Sequence, residues 1–213
     1  MDEPTIIIPM VSDKWRLKLH ITTIAEKQLQ QIRKVFPNNE IIIVTNPEKL
    51  DFINSIRQKN ITVVENHNTS SNVAHSIFLG IMEASPNSVL LIYDDIVFNK
   101  ETIMGLTTDS SYVIIDNLKQ IANNKVGVTV VDNKATIFSY GLPTKWAKIV
   151  HLSKNELNIL KNICTTSNVG HLFVFELLNL IINAGGTIGA IEKSEMKIVE
   201  INVNKDINKA RKI

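Results

Sequence analysis

Two carboxylates stand side by side where an apolar run stops: Val89-Leu90-Leu91-Ile92-Tyr93 is followed by Asp94 and Asp95. Carboxylates so placed could hold a hard divalent cation such as Mg2+, which takes oxygen ligands, usually one or two carboxylates with water and phosphate completing the shell. The run is apolar on both faces, the mark of a buried strand in a parallel sheet. The pair then falls at a strand's carboxyl end, where open α/β sheets bind ligands. Successive strand side chains point to opposite faces, so one pocket receives only one of the two unless the chain is already turning. The other use of Asp here is to cap the following turn or helix.

Other residues could share a site with this pair. Lys14, Arg16 and Lys18 follow a short β-branched run and could bind phosphate, Arg as a bidentate fork and Lys as a point charge. The bland use of the same segment is a solvated surface with Trp15 packed on the sheet. Asn72 and Ser76 lie one helical turn apart and could face one ligand, while Thr69, Ser70 and Ser71 are good helix N-caps. Lys145 and Trp146 pair a cation with an aromatic wall, which suits a phosphorylated alcohol or a quaternary amine. Asn202 offers a neutral carbonyl oxygen, a weaker cation ligand than the nearby carboxylate of Glu200. His75 beside Ser76 has neither a G-x-S-x-G elbow nor a clear acidic partner, and His67, His151 and His171 lack metal-ligand spacing.

The elements that must position these residues are legible from periodicity. Residues 5–10, 41–44, 61–65 and 89–93 read as strands, with helices between them: one carrying Ile21, Ile24, Leu29, Ile32 and Val35, one over about 48–58, and one over about 72–83. Strands separated by helices of this length imply right-handed crossovers and a parallel sheet. After residue 105 strand-like runs follow one another at 112–116, 125–131, 135–141 and 146–152, with a hairpin turn at 132–134. Helices are expected at 155–163 and 170–186, the second stopped by Gly185-Gly186, and the chain closes with a strand at 197–203 and a short helix.

Composition narrows the classes. The 213 residues are 44% apolar and 21% charged, which suits one globular domain with a sizeable core. A formal charge of +2 is too mild to predict nucleic-acid or membrane binding. The lone Cys164 excludes a disulfide framework and a Cys-based zinc site, and a reducing cytoplasm is the expected setting. No apolar stretch reaches the roughly 18 residues a bilayer span needs, and the MDEPT start lacks the basic opening of a signal peptide.

In order along the chain, several stretches resemble the nucleotidyltransferases that join a nucleoside triphosphate to a sugar phosphate or a phosphorylated alcohol such as phosphocholine. IIIPMVSDKWRL (6–17) is similar to the family's opening IIIPMAGxGSRL, with Ser12 and Lys14 where the family has glycines and Arg16 at the loop arginine. VVENHNTSSNVAHSIFLGI (63–81) resembles the base-contacting segment, LLIYDDIVF (90–98) resembles vlvlyGDvvF, and SYGLPTKWAKIVHLSKNE resembles the stretch that faces the acceptor. VEINVNKDINKAR (199–211) is similar to wxEIDdxeDlxkAr, with Asn202 at the second metal-binding aspartate.

The resemblance implies a Rossmann-like three-layer α/β sandwich with a mostly parallel mixed central sheet, of the nucleotide-diphospho-sugar transferase type. It implies a single domain over 1–213: a nucleotide-binding lobe at about 1–105, a β-rich acceptor-binding lobe at about 106–195, and a closing strand and helix at 196–213. It further implies a Mg2+-dependent cytoplasmic enzyme whose partners are an NTP and a phosphorylated small molecule, with no nucleic acid or membrane and with a homodimer as a further expectation. By the same resemblance Arg16 and Lys18, a substitute for a lost Pro-Lys motif, would be catalytic. Met10, Ser12, Lys14, Asn72, Ser76 and Asp94 would bind the nucleotide. Lys145 and Trp146 would bind the acceptor, and Asp95, Asn202 and Glu200 the metal. The lost glycines and Asn202 favour one alternative, a catalytically weakened relative that binds nucleotide or a partner protein without turnover. A second is a nucleotide-sugar glycosyltransferase on the same type of sheet, whose Asp-x-Asp spacing the adjacent aspartates do not match.

Overall fold

Strong β-formers set the centre of the molecule. The computed structural model describes residues 3–56, 58–68, 72–84, 87–117 and 123–213; the N-caps expected at Thr69, Ser70 and Ser71 lie outside them. The strands β1 (Thr5–Met10), β2 (Ile41–Thr45), β3 (Ile61–Glu65) and β4 (Val89–Ile92) lie parallel in the order β3-β2-β1-β4. Between them run α1 (Ile24–Val35), α2 (Leu50–Ser55) and α3 (Val73–Ala84). Alternation along the isoleucine runs divides them between two faces. Ile6, Ile8, Ile41 and Ile43 pack with Ala25, Leu29 and Ile32 of α1, whereas Ile7, Ile42 and Val44 pack with Ala74, Ile77 and Ile81 of α3. Burial on both faces is why these strands read as continuous apolar runs.

The sheet continues through the second half of the chain. β6 (Tyr112–Asp116), β7 (Val126–Val131), β8 (Lys134–Tyr140), β9 (Thr144–Leu152) and β10 (Gly189–Ile191) extend it to nine strands among the described residues, in the order β3-β2-β1-β4-β9-β6-β10-β8-β7. β9 pairs antiparallel with both β4 and β6, so a strand from the second half lies directly beside the strand that delivers the aspartates. α4 (Lys154–Thr166) and α5 (Val174–Asn183) join α3 on one face through Leu157, Leu160, Leu177 and Ile181, giving three layers. This is a mixed α/β sandwich of the expected class.

A second, two-stranded sheet pairs β5 (Ile96–Phe98) antiparallel with β11 (Ile198–Glu200), and α6 (Asn204–Ala210) follows it. The expected run of strand at 197–203 is shorter, and β5 is a strand that periodicity does not single out because it has only three residues. Ile21 also differs from expectation. Thr23 caps α1, accepting from Glu26 N–H at 3.3 Å while its own N–H donates to the Glu26 carboxylate at 2.7 Å, so the helix begins at Ile24 and Ile21 is 94% exposed. The 132–134 turn is as expected: Asp132 and Asn133 both have positive φ, 49° and 59°, the left-handed pair that tight two-residue hairpins require. Among the described residues no helix is long and apolar enough to cross a membrane.

Candidate active site

Asp94 and Asp95 lie in a tight turn between β4 and β5, so the strand rule that sends neighbours to opposite faces no longer governs them. Gln28 of α1, fully buried, holds this turn: its side-chain amide donates to the carbonyls of Tyr93 and Ile96, each at 2.7 Å. Both carboxylates are buried, yet they serve different neighbours.

Asp94 shapes the opening loop. Its Oδ2 accepts the Ser12 backbone N–H at 2.8 Å, Ser12 Oγ accepts from Lys14 N–H at 3.2 Å, and Lys49 Nζ donates to the carbonyls of Val11 and Ser12. Asp94 and Ser12, expected at the nucleotide, are therefore committed to loop geometry. Burial first, and then the charge of Asp95, push the Asp94 carboxyl up to about 6, against the hydrogen bonds from Ser12 and the pull of Lys148. A raised folded pKa means that Asp94's contribution to stability is complete below its ordinary value of 3.8 and is lost as pH rises through about 6. Asp94→Asn, which still accepts the Ser12 N–H, should abolish this dependence. Urea unfolding across the window should show the variant gaining on the wild type as pH rises, and a difference that stays constant would refute the assignment.

Asp95 faces lysines. Its Oδ2 lies 2.7 Å from Lys148 Nζ and 3.5 Å from Lys14 Nζ. Lys148 Nζ is also 2.8 Å from Glu200 Oε1, which Lys125 Nζ meets at 2.8 Å as well. Glu200 comes from β11, held in register by β5 through the pairing of Glu200 with Ile96, while Lys125 directly precedes β7. Burial opposes the charge on Glu200, but Lys148 and Lys125 hold its carboxyl down to about 2. Burial likewise pulls the Lys148 ammonium down, and Asp95 and Glu200 more than reverse it, leaving its pKa above the ordinary value.

Lys148 reaches this position through a distortion of β9. Val113 pairs with Val150 and Ile115 with Trp146, so three residues of β9 oppose one of β6 in a bulge. Lys148 is at its apex with φ +60°, a left-handed conformation that costs a residue with a side chain about 1 kcal/mol or more. Its Nζ also lies 5.3 Å from the centroid of the Tyr93 ring.

Beside the lysines opens a cleft of about 210 Å³, lined by Tyr93, Asn124, Lys125, Val126, Tyr140, Lys145, Trp146, Lys148, Phe173, Phe175 and Glu200. Its aromatic wall is ordered edge to face: Tyr93 against Trp146 at 5.5 Å and 88°, Tyr140 against Phe175 at 5.4 Å and 75°. Trp146 is buried, and its indole N–H has no hydrogen-bond partner among the described residues. The expected Lys145 and Trp146 are thus both in the wall.

Several other expected site residues lie elsewhere. Arg16 is exposed and pairs with Asp13 at 2.9 Å, because the short 3-10 turn of Lys14–Arg16 sends it outward while Trp15 enters the core against Phe52. Lys18 is exposed and pairs through its backbone with Thr23. Met10 is wholly buried and its carbonyl accepts from Thr45 Oγ1 at 3.0 Å. Asn72 ties the start of α3 to the 170–171 turn, its N–H donating to Gly170 O and its side chain to His171 O, and Ser76 Oγ accepts from Asn66 at 2.9 Å inside the protein. Neither faces the cleft. Lys125, Lys148, Tyr93, Tyr140, Phe173, Phe175 and Gln28 escaped the sequence reading. The one local sign was Lys148 itself, a cation inside a strand apolar on both sides.

The donor set does not fit a resident Mg2+. Asp95 Oδ2 and Glu200 Oε1 are both taken up by ammonium groups, and Asp95 Oδ1 is sealed from solvent with no hydrogen-bond partner among the described residues. Asn202 is exposed; its N–H donates to Asp206 at 3.0 Å, and among the described residues its side chain makes no hydrogen bond. Among the described residues no three His, Cys, Asp or Glu side chains are grouped to share an ion.

Comparison with known proteins places this geometry. Residues 9–134 match the profile of the MobA-like NTP transferase domain. Among solved structures, the nucleoside-diphosphate-sugar pyrophosphorylase from Vibrio cholerae RC9 superposes with a TM-score of 0.75 at 14% identity, covering 98% of this chain and 100% of that one. The inositol-1-phosphate CTP transferase from T. maritima superposes with a TM-score of 0.78 at 12% identity, covering 100% of this chain and 97% of that one. At these identities the likeness establishes the fold. No curated protein sequence matches the chain significantly.

Proposed function

Because the chain belongs to the family of MobA-like NTP transferase domains, we propose that it moves a nucleoside monophosphate from an NTP onto a sugar phosphate or a phosphorylated alcohol and releases pyrophosphate. The observation that carries this reading is the cleft, in which Lys125, Lys145 and Lys148 meet a wall of aromatic rings. The lysines suit a phosphate, and the rings suit the sugar or alcohol attached to it. Two proteins of the same fold are named for related chemistry, a nucleoside-diphosphate-sugar pyrophosphorylase and an inositol-1-phosphate CTP transferase.

In the reaction a phosphate oxygen of the acceptor attacks the α-phosphorus of the NTP. A new P–O bond forms as the in-line bond to pyrophosphate breaks, and pyrophosphate takes the electron pair. The attacking oxygen is an anion near neutral pH, so the chain need supply neither a nucleophile nor a general base. Its work is alignment and positive charge. On this reading Lys14 meets the nucleotide from the opening loop, Lys125 and Lys145 hold the acceptor phosphate, and Lys148 faces the nucleotide's phosphate oxygens that gain charge. A lone buried cysteine and NTP substrates go with a cytoplasmic setting.

The test is incubation with each of the four NTPs and a panel of phosphorylated sugars and alcohols, with and without Mg2+. Pyrophosphate release is expected for at least one pairing. Nucleotides that raise the melting temperature without releasing pyrophosphate would instead identify a binding relative, and turnover of UDP-sugars would identify a glycosyltransferase. No response to any nucleotide rejects the proposal.

A further inference from the structure

We infer that Lys148 supplies from within the chain the charge that a divalent cation would otherwise bring to the nucleotide's phosphates, so that NTP binding is independent of Mg2+. The inference rests on the nucleotide reading above and concerns how that site is charged. Lys148 Nζ lies 2.7 Å from Asp95 Oδ2 and 2.8 Å from Glu200 Oε1. These are the lengths of charge-assisted hydrogen bonds, about 2.7–2.9 Å. The two carboxylates best placed to ligate an ion are therefore spaced around a nitrogen.

The surroundings reinforce the substitution. Lys125 contacts the same Glu200 oxygen at 2.8 Å, and Lys14 approaches the same Asp95 oxygen at 3.5 Å, so three ammonium groups face two carboxylates. The remaining Asp95 oxygen, Oδ1, is closed to solvent, which denies a hydrated ion a route to it without rearrangement. The backbone is distorted to the same end. Lys148 holds φ +60° at the apex of a bulge, a conformation glycine adopts without strain. That distortion aims a cation between Asp95 and Glu200. A polyphosphate arriving beside them meets ammonium groups already oriented, which is what a bound metal would have provided.

The experiment compares the wild type with Lys148→Gly, which removes the ammonium and relieves the left-handed strain, and with Lys148→Met, which keeps the stem without the charge. Calorimetry with each NTP is run in EDTA and in Mg2+, and Mn2+ binding to the nucleotide-free proteins is followed by electron paramagnetic resonance. The wild type should bind its NTP with affinities that differ by less than about twofold between EDTA and Mg2+, and Mn2+ should bind Lys148→Gly at least about tenfold more tightly than the wild type. The variant's NTP affinity should become metal-dependent. A wild type that needs Mg2+ for NTP binding overturns the inference, as does Mn2+ binding that is no tighter in either variant than in the wild type. If no NTP binds the wild type under any condition, the nucleotide reading falls, and the Mn2+ comparison still decides what Lys148 replaces. The two wild-type measurements need no variant to fold.

Discussion

Asp95→Asn is expected to lower pyrophosphate release by about 10²–10³-fold, the usual cost of removing one oriented charge from an electrostatically assembled site. The aspartate touches both Lys148 and Lys14 through one oxygen, at 2.7 and 3.5 Å, so its charge sets where two cations stand. Asparagine keeps the shape and can still accept a hydrogen bond, but it no longer offsets the ammonium charge. Lys148 should then lean on Glu200 alone, and Lys14 should swing free of residue 95. Because the loss falls on positioned charge during transfer, kcat should drop more than KM rises. Asp95 is buried and Lys148 half-buried at the cleft, so part of the effect will be stability, at most the roughly 3–5 kcal/mol that breaking a fully buried pair costs when no dipole replaces the lost partner. Steady-state kinetics alongside urea unfolding separates the two. Activity retained within about threefold, with an unchanged melting temperature, would show that Asp95 is an ornament of the turn.

Gly127→Ala is expected to destabilise the protein by about 3 kcal/mol or more, although it adds a single methyl group. A Cβ at residue 127 would lie 2.4 Å from the Leu142 carbonyl oxygen and 2.9 Å from the Thr144 carbonyl oxygen. Both are backbone atoms, which cannot turn aside as a side chain would. Gly127 pairs with Ser139 on β8 and with Lys145 on β9, so it marks the place where β7 presses against the end of β9. Separating these strands would also withdraw Lys125 and Val126 from the cleft and take Lys125 from Glu200. The comparison is Gly105→Ala. That glycine has φ +67° and open space around its Cβ, so the loss there should be about 1 kcal/mol of conformational strain. Equal midpoints in urea for the two variants would contradict the close approach.

Strand and helix positions read from the sequence agree with the structure closely, whereas the expected site residues divide between one cluster and other places in it. The strands at 5–10, 41–45 and 61–65 lie where their β-branched runs put them, and β4 ends one residue short of Tyr93. In the second half β6 has its expected bounds, β7, β8 and β9 differ by a residue or two at their ends, and β11 stops three residues early. Of the residues expected to touch substrate, Lys14, Lys145, Trp146, Asp95 and Glu200 gather at one place. Arg16, Lys18, Met10, Asn72 and Ser76 do not, and Asp94 and Ser12 hold each other. Their assignment and their placement rest on different things. Each was assigned from its position along a motif, whereas a side chain's direction depends on where the local turn begins: the three-residue 3-10 turn at Lys14–Arg16 buries Trp15 and turns Arg16 to solvent.

Local periodicity thus determined the alternation of strands and helices, the parallel pairing of the first half and the delivery of an aspartate pair to a strand's end. Apolar spacing and β-branching act within a few residues and leave their mark on the sequence. Only the tertiary structure decided which aspartate meets the lysines and which holds the opening loop. Lys148 is 53 positions from Asp95, and Lys125 is 75 from Glu200. Their meeting depends on a bulge in β9, on β9 lying beside β4, and on β5 pairing with β11. Long-range pairing of this kind has no local period to announce it. The charge at the centre of the site was therefore hidden in a strand that read as ordinary core.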